Sequence, residues 1–331
     1  MAGTGRRCRR PAAIVAVALA LGGAGLAGCG LFGDDPDAAP TTTAGPTTTT
    51  VVDAAEPTVL DPGAEPRQEL RMALVEGTET TLAITTDLAI TQTDEGGRRQ
   101  RLDSPPITQW ITYVVTDVGP DGAAVDLEVA AAFAEPAGTG LDPDAVADLD
   151  AALAAVAGTT GTATVTDRGR FTDVAFEAGD GLPEVVADHL DDLGAQVAAL
   201  GPALPREAVG VGARWEAIAT TPYQGTAATT TTTYTVTAIE DGAVSYDAEI
   251  ELAIEPGDLD LDGLPEGTTA RLVGSSGTGT ATGTQRLDDL SLELSMQTES
   301  AQDLELAEGT GAVRPLAQEV TTATAVRTPD P

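Results

Sequence analysis

The sequence predicts a mainly β fold. It reads as two tandem copies of an antiparallel β unit that form a curved sheet or half-barrel, with two amphipathic helices packed on it. Three observations carry this reading. Long stretches rich in Thr, Val, Leu and Ile alternate apolar and polar residues between Gly, Pro and Asp breakers, the period-two signature of half-buried strands. Two of these stretches, about 120 residues apart, align residue for residue over much of their length. Two short segments switch to a helical period, each closed by glycine.

The elements follow in chain order. Residues 1–28 carry Arg6, Arg7, Arg9 and Arg10 with no acidic residue, then the small apolar run "AAIVAVALALGGAGLAG". These are the charged and apolar regions of a signal peptide. The run is near the lower limit for a spanning helix, which needs about 20 apolar residues, and its glycines weaken it as a helix. It closes on Leu26-Ala27-Gly28-Cys29. Charge, apolar core and this box, in that order, resemble a bacterial lipoprotein signal, whose lipobox is Leu, a small residue, Gly or Ala, then Cys. The resemblance implies cleavage between Gly28 and Cys29 and diacylation of the Cys29 thiol. The mature chain would then sit on the extracytoplasmic face of the cell membrane, where two acyl chains hold a protein firmly. The "RRCRR" run leaves the export route, Sec or twin-arginine, open.

Residues 29–66 are dominated by Thr, Pro, Ala and Asp. Such a segment buries too little to offset its ordering entropy, and reads as a disordered tether from the lipidated Cys29. The Thr-Pro mixture permits O-glycosylation, or serves as a plain spacer.

Residues 67–181 form the first β repeat. "ELRMALVEGTETTLAITTDLAITQTD" reads as two strands joined near Glu76-Gly77. "TQWITYVVTDVGPDGAAVDLEVAAAFAEP" reads as a hairpin turning at Gly119-Pro120-Asp121-Gly122. A helix over about 143–157 follows, with Asp142 as N-cap, Pro143 at its first position and a stripe of Val146, Leu149, Leu153 and Val156. Residues 182–208 supply a linking helix, striped by Val186, Leu190, Leu193, Val197 and Leu200, and a loop.

Residues 209–306 form the second repeat. Tyr113, Val115 and Thr116 match Tyr234, Val236 and Thr237. Asp121-Gly122 matches Asp241-Gly242, Glu128 matches Glu249, and Glu135-Pro136 matches Glu255-Pro256. A second echo pairs Phe171, Val174 and Phe176 with Leu287, Leu290 and Leu292. In place of a long helix the second copy carries "PGDLDLDGLPEG". Residues 307–331 read as a C-terminal tail, partly disordered.

Charge and composition exclude several functions. The net charge is −35, and all 17 basic residues are arginine. Such a chain repels nucleic acid. A phosphate-binding loop that needs lysine cannot be built. Zero lysine with abundant Ala, Gly, Asp and Thr resembles actinobacterial envelope proteins. Of the 2 cysteines, Cys8 lies in the signal and Cys29 is the anchor, so an internal disulfide, a cysteine nucleophile and a thiolate metal site are excluded after processing.

Candidate chemistry is sparse. The single histidine, His189, sits beside the second helical stripe; alone it cannot build a multi-histidine zinc site. No G-x-S-x-G occurs to suggest an acyl-transfer nucleophile. Trp110 and Trp215 are the only tryptophans, and core or rim positions suit them. Asp258, Asp260 and Asp262, followed by Gly263, space their carboxylates like the start of a calcium loop, and Glu266 stands at the ninth position. The twelfth position is Thr269 where that motif needs Glu, and Leu259 and Leu261 equally suit an edge strand.

The β-plus-helix arrangement over roughly residues 68–305 faintly resembles bacterial lipid-carrier lipoproteins, in which a curved half-barrel holds helices against its inner face. The repeat also resembles uncharacterised β-rich envelope lipoproteins. The expected function is a membrane-anchored, non-catalytic interaction or structural module with no cofactor and no metal. Its partners would be the membrane, through acylated Cys29, and an envelope protein, glycan or lipid. The alternative is a carrier of lipid or another apolar ligand in a cavity between sheet and helices.

Overall fold

The computed structural model describes residues 47–48, 54–135, 143–177, 190, 193–261, 264, 267–307 and 311–329. The alternating segments become one large antiparallel sheet, open rather than closed into a barrel. Five strands follow one another as a meander in each half. In the first they are β3 (Glu79–Asp94), β5 (Ile107–Gly119), β6 (Gly122–Ala134), β7 (Thr160–Thr166) and β8 (Phe171–Phe176); β4 (Arg99–Asp103) pairs with β3 at its side. In the second they are β9 (Arg214–Tyr223), β10 (Thr226–Glu240), β11 (Ala243–Ile254), β13 (Thr269–Arg286) and β14 (Leu292–Ala307), with β12 (Gly257–Leu259) on β13. Strand order within the two meanders is the same, which is the duplication in three dimensions.

The repeat extends to irregularities of the backbone. In the β5–β6 hairpin the register slips between Val115 and Asp117, leaving Thr116 as a bulge. In the β10–β11 hairpin it slips between Val236 and Ala238, leaving Thr237. These are the two threonines that the sequence alignment pairs. A further bulge on β6, where Trp110 faces Ala131 and Ile111 faces Val129, inserts one residue. It accounts for the one-residue change of spacing between the Glu128/Glu249 match and the Glu135/Glu255 match.

Two of the expected matches shift. The β10–β11 turn is Asp241-Gly242, with φ of 51° and 76°, both left-handed as a two-residue hairpin turn of the primed kind requires. In the first hairpin, Gly119 pairs with Gly122, so the turn residues are Pro120-Asp121. Proline cannot adopt a positive φ, so this turn is of another type. In the second echo, Phe171 faces Val165, and Leu292 faces Gln285. Phe171 therefore corresponds to Leu292, while Leu287 and Leu290 lie in the preceding turn.

Two expectations at the chain ends are corrected. Residues 313–327, expected within a tail, form the strand β15 (Val313–Arg327), which pairs with β14 on one side and β3 on the other. Its Thr/Ala content disguised a strict alternation, with Gln318, Val320, Thr322, Thr324 and Val326 all buried. Residues 54–66, expected within the tether, lie on the sheet. They include β2 (Thr58–Asp61), which pairs with β9. Upstream, β1 (Thr47–Thr48) pairs with β8. The arrangement is quasi-symmetric: β15 joins the halves between β14 and β3, and the N-terminal segment touches both remaining edges, β8 and β9. The expected strand before Glu76-Gly77 is also absent; residues 69–75 are irregular and only β3 follows.

The sheet curls strongly. Tyr223 on β9 and Gln302 on β14, four strands apart in the ladder, meet at 3.3 Å. Helix α1 (Pro143–Ala154) and the helical residues 193–198 pack inside the first half. Leu153, Val156, Leu190, Leu193, Val197 and Leu200 join β3 and β5–β8 in one buried cluster. Both sequence stripes thus cover the first repeat; Val186 lies outside the described residues. The second half has three smaller clusters, one of them formed by Tyr246, Ala248 and Ala281 on β11 and β13. Trp215, Val236 and Val244 pack with Leu70, Leu204 and Val209 at one end. At the other end Leu259, Leu261 and Leu264, from the segment that replaces the helix, cover Ile254, Leu272 and Leu304.

Candidate functional site

The best-built feature outside the core is the junction where the N-terminal segment enters the fold. Its backbone is knitted to the stretch that leads into β9. Ala54 bridges to Ala219, and the Ala55 amide donates to the Ile218 carbonyl at 3.2 Å. Thr58 faces Glu216 and Val59 faces Trp215. Beyond β2, the Ala64 amide donates to the Val211 carbonyl, the Gly210 amide donates to the Pro62 carbonyl, both at 2.9 Å, and Gln68 exchanges two bonds with Val209. Gly210 has a specific reason to be glycine: a Cβ there would lie 1.8 Å from the Ala64 carbonyl oxygen.

Three arginines clamp the segment. Arg170, in the β7–β8 turn of the other half, donates through Nη1 to the Ala54 carbonyl at 2.8 Å and through Nη2 to the Ala55 carbonyl. Arg206 grips Glu56 with two bonds of 2.9 and 3.0 Å, the fork geometry that suits guanidinium to carboxylate. Arg168, largely buried, donates to the carbonyls of Leu70 and Pro205 at 2.8 and 3.1 Å and lies 3.5 Å from the Asp167 carboxylate. Asp167 also receives Arg71 at 2.6 Å. The Arg206 hydrogen bond holds the Glu56 carboxyl below the usual carboxylate range and raises Arg206 in turn. Both partners are exposed, so the pair adds little stability; its part is to fix geometry. Strands on β9, a turn from the first half and the interdomain loop thus converge on residues 54–70.

Among the expected site residues, Cys29, Gly28, His189, Asp262 and Glu266 lie outside the described residues. Asp258 and Asp260 flank Leu259, whose side chain is buried while theirs are exposed. Asp258 belongs to β12 and stands opposite Arg271 in the ladder. This segment is therefore an edge strand carrying its carboxylates outward, the alternative that Leu259 and Leu261 suggested. A half-polar recess of about 330 Å³ lies beside it, lined by Asp258–Leu261, Leu264 and Thr268–Ala270. Among the described residues no three His, Cys, Asp or Glu side chains are grouped to hold a metal ion. Trp215 is fully buried, its Nε1 donating to the Ala203 carbonyl at 2.9 Å, whereas Trp110 is partly exposed on the outer face.

The junction arginines escaped the sequence reading. The only signal was the pair Arg168-Gly169-Arg170 in a turn of a chain otherwise poor in positive charge, and nothing local says that they reach back to Ala54, Ala55 and Leu70.

No family profile and no curated protein matches the chain. Among solved structures it is similar to an outer membrane channel of Pseudomonas putida F1, at 8% identity over 77% of this chain and 97% of that one, with a TM-score of 0.23. It is also similar to OmpT, an outer membrane protein of Vibrio cholerae, in its loop L8 deletion form, at 7% identity over 75% of this chain and 99% of that one, TM-score 0.14. Scores this low fix neither fold nor function. Among the described residues no helix is long and apolar enough to cross a membrane.

Proposed function

We propose that the chain is a lipoprotein of the cell membrane, held on the extracytoplasmic face through acylated Cys29, whose duplicated β domain acts as a non-catalytic interaction or structural module. The observation that carries this reading is the junction. The chain downstream of the lipobox is fastened to both edges of the sheet, so a pull on the anchor acts on the whole domain rather than on a loose end. If cleavage falls before Cys29, residues 29–46 separate the lipid from Thr47, the first residue on the sheet. At about 3.3–3.6 Å per residue, that stretch reaches on the order of 60 Å when extended. The partner would be an envelope protein or glycan presented within that reach.

The carrier reading needs an apolar cavity between sheet and helices. In the first half, the side chains of α1, of the helical residues 193–198 and of five strands form one continuous cluster there. This packing supports the interaction reading over the carrier.

The test is fractionation of cells expressing the intact chain and its Cys29→Ala variant. The wild type is expected in the membrane fraction, released by detergent and not by high salt. The variant is expected to leave that fraction or to accumulate unprocessed. An unmodified soluble wild type would overturn the proposal. Native mass spectrometry of the detergent-free domain from Ala54 onward is expected to give a ligand-free mass; a stoichiometric lipid would restore the carrier.

A further inference from the structure

The inner face of β15 is unusual for a buried strand, because three of its five buried residues are polar. Gln318, Val320, Thr322, Thr324 and Val326 are 1–4% exposed. Gln318 stands opposite Gln92 on β3 and opposite Gln302 on β14, so three glutamines, each 1–2% exposed, lie side by side across three strands. Two hydrogen bonds are made. Gln92 Nε2 donates to Gln318 Oε1 at 3.0 Å, and Gln302 Nε2 donates to the Tyr223 hydroxyl at 3.3 Å. Gln92 Oε1, Gln302 Oε1 and Gln318 Nε2 find no partner in the protein. The pattern continues along the strand. Thr324 Oγ1 has no partner, and it faces Thr86, which receives Gln196 Nε2 at 3.1 Å while Gln196 Oε1 is left over.

We propose that this stripe is a built internal hydration site. One water accepts from Gln318 Nε2 and donates to Gln302 Oε1 and Gln92 Oε1, and further water serves Thr324 Oγ1 and Gln196 Oε1. The lining selects this occupant. It offers one amide donor, three amide acceptors and a hydroxyl, which is what a molecule that both donates and accepts can satisfy. The side chains carry no charge, so an ion entering would lose its hydration without a counter-charge. An apolar chain laid along the stripe would leave all five atoms unpaired, at a cost for each. The side chains are too enclosed for a larger polar molecule. Any ligand taken up beside β15 must therefore hydrogen-bond to amides, which separates this half of the interior from an acyl-chain site.

The alternative is a dry head-to-tail amide ladder, with Gln318 Nε2 turned directly onto Gln302 Oε1. A crystal structure of the full mature chain carrying Cys29→Ser, at about 1.5 Å, separates the two. The expected result is a water within about 3 Å of Gln318 Nε2 and of Gln302 Oε1. A direct Gln318–Gln302 bond, or an organic molecule at that place, would overturn the proposal. Thermal melting gives a second readout. Gln318→Met is expected to lower Tm by about 3 °C or more, since it strips partners from both neighbours. Replacing Gln92, Gln318 and Gln302 together by Leu is expected to recover most of that loss. A single variant as stable as wild type would also overturn the proposal.

Discussion

The Tyr113 hydroxyl is buried without a hydrogen-bond partner, in a ring packed 5.6 Å from Phe171. Burial pushes its ionisation well above the ordinary tyrosine value, and the same direction holds for Tyr223, Tyr234 and Tyr246. The neutral phenol is thus favoured in the folded chain, so stability is intact below about pH 10, the unfolded value, and falls as pH rises beyond it. Alkaline melting curves are expected to show this loss, and Tyr113→Phe should make it shallower. The same substitution at neutral pH removes an unsatisfied group without changing the shape of the core. It is expected to raise stability by up to about 1 kcal/mol, read as a higher Tm. At Gly210 the direction reverses. Alanine would place its Cβ against the Ala64 carbonyl, and Gly210→Ala should destabilise the junction by about 1–3 kcal/mol, the range for a strained or overpacked site. For Glu56, whose carboxyl is held low by Arg206, the contribution is present above the ordinary carboxylate range and is lost as pH falls through the folded value. The protection of the Ala55 amide, its exchange measured against the intrinsic rate at the same pH, should therefore fall in acid, and in the Glu56→Gln variant that protection should be low and unchanged by pH over that range.

At the scale of elements, the N-terminal segment and β15 are the two pieces that join the repeats. A domain starting at Ala54 keeps β2 and the Arg170 and Arg206 clamps, whereas one starting at Arg67 loses them and uncovers the edge of β9. Exposed edges of this kind recruit other strands. The shorter domain is expected to melt several degrees lower and to self-associate, measured by calorimetry and by sedimentation. Equal melting and a clean monomer for both would show that the segment is an appendage. The repeat itself was legible in sequence because turns, breakers and bulged threonines recur in order. The joining pieces were not, for a physical reason. Residues 54–66 and 313–327 take their order from partners on distant strands, while their own composition, rich in Ala, Pro and Glu in the first and in Thr and Ala in the second, marks neither as a strand. The mismatched hairpin turn has a local origin: both hairpins carry the same bulge before the turn, but Pro120-Asp121 stands in the first where Asp241-Gly242 stands in the second, so the Asp-Gly pair falls one position later.

For the molecule as a whole, the difference between the halves follows from what fills them. The first repeat is cut short at β7 and β8 and its inner face is covered by α1 and the helical residues 193–198. Among the described residues the second has no such helix, and β13 and β14 run on to 18 and 16 residues under a cap of three leucines. The helical stripes were readable from spacing alone, because a period of 3.6 residues names a buried face wherever that face finds its sheet. The strand segment at Asp258–Asp260 was ambiguous, since alternate carboxylates serve a calcium loop and an exposed edge equally well until a partner such as Arg271 is in place. The molecule is a duplicated β domain whose edges β8 and β9 are joined by the segment that follows Cys29 in the chain, and the proposed function rests on that attachment. Intact-mass and peptide mass spectrometry of the protein extracted from membranes tests it most directly. The expected result is a mature chain whose first residue is Cys29 carrying a thioether-linked diacylglyceryl group; a chain that begins elsewhere, or an unmodified Cys29, would contradict the proposed anchoring.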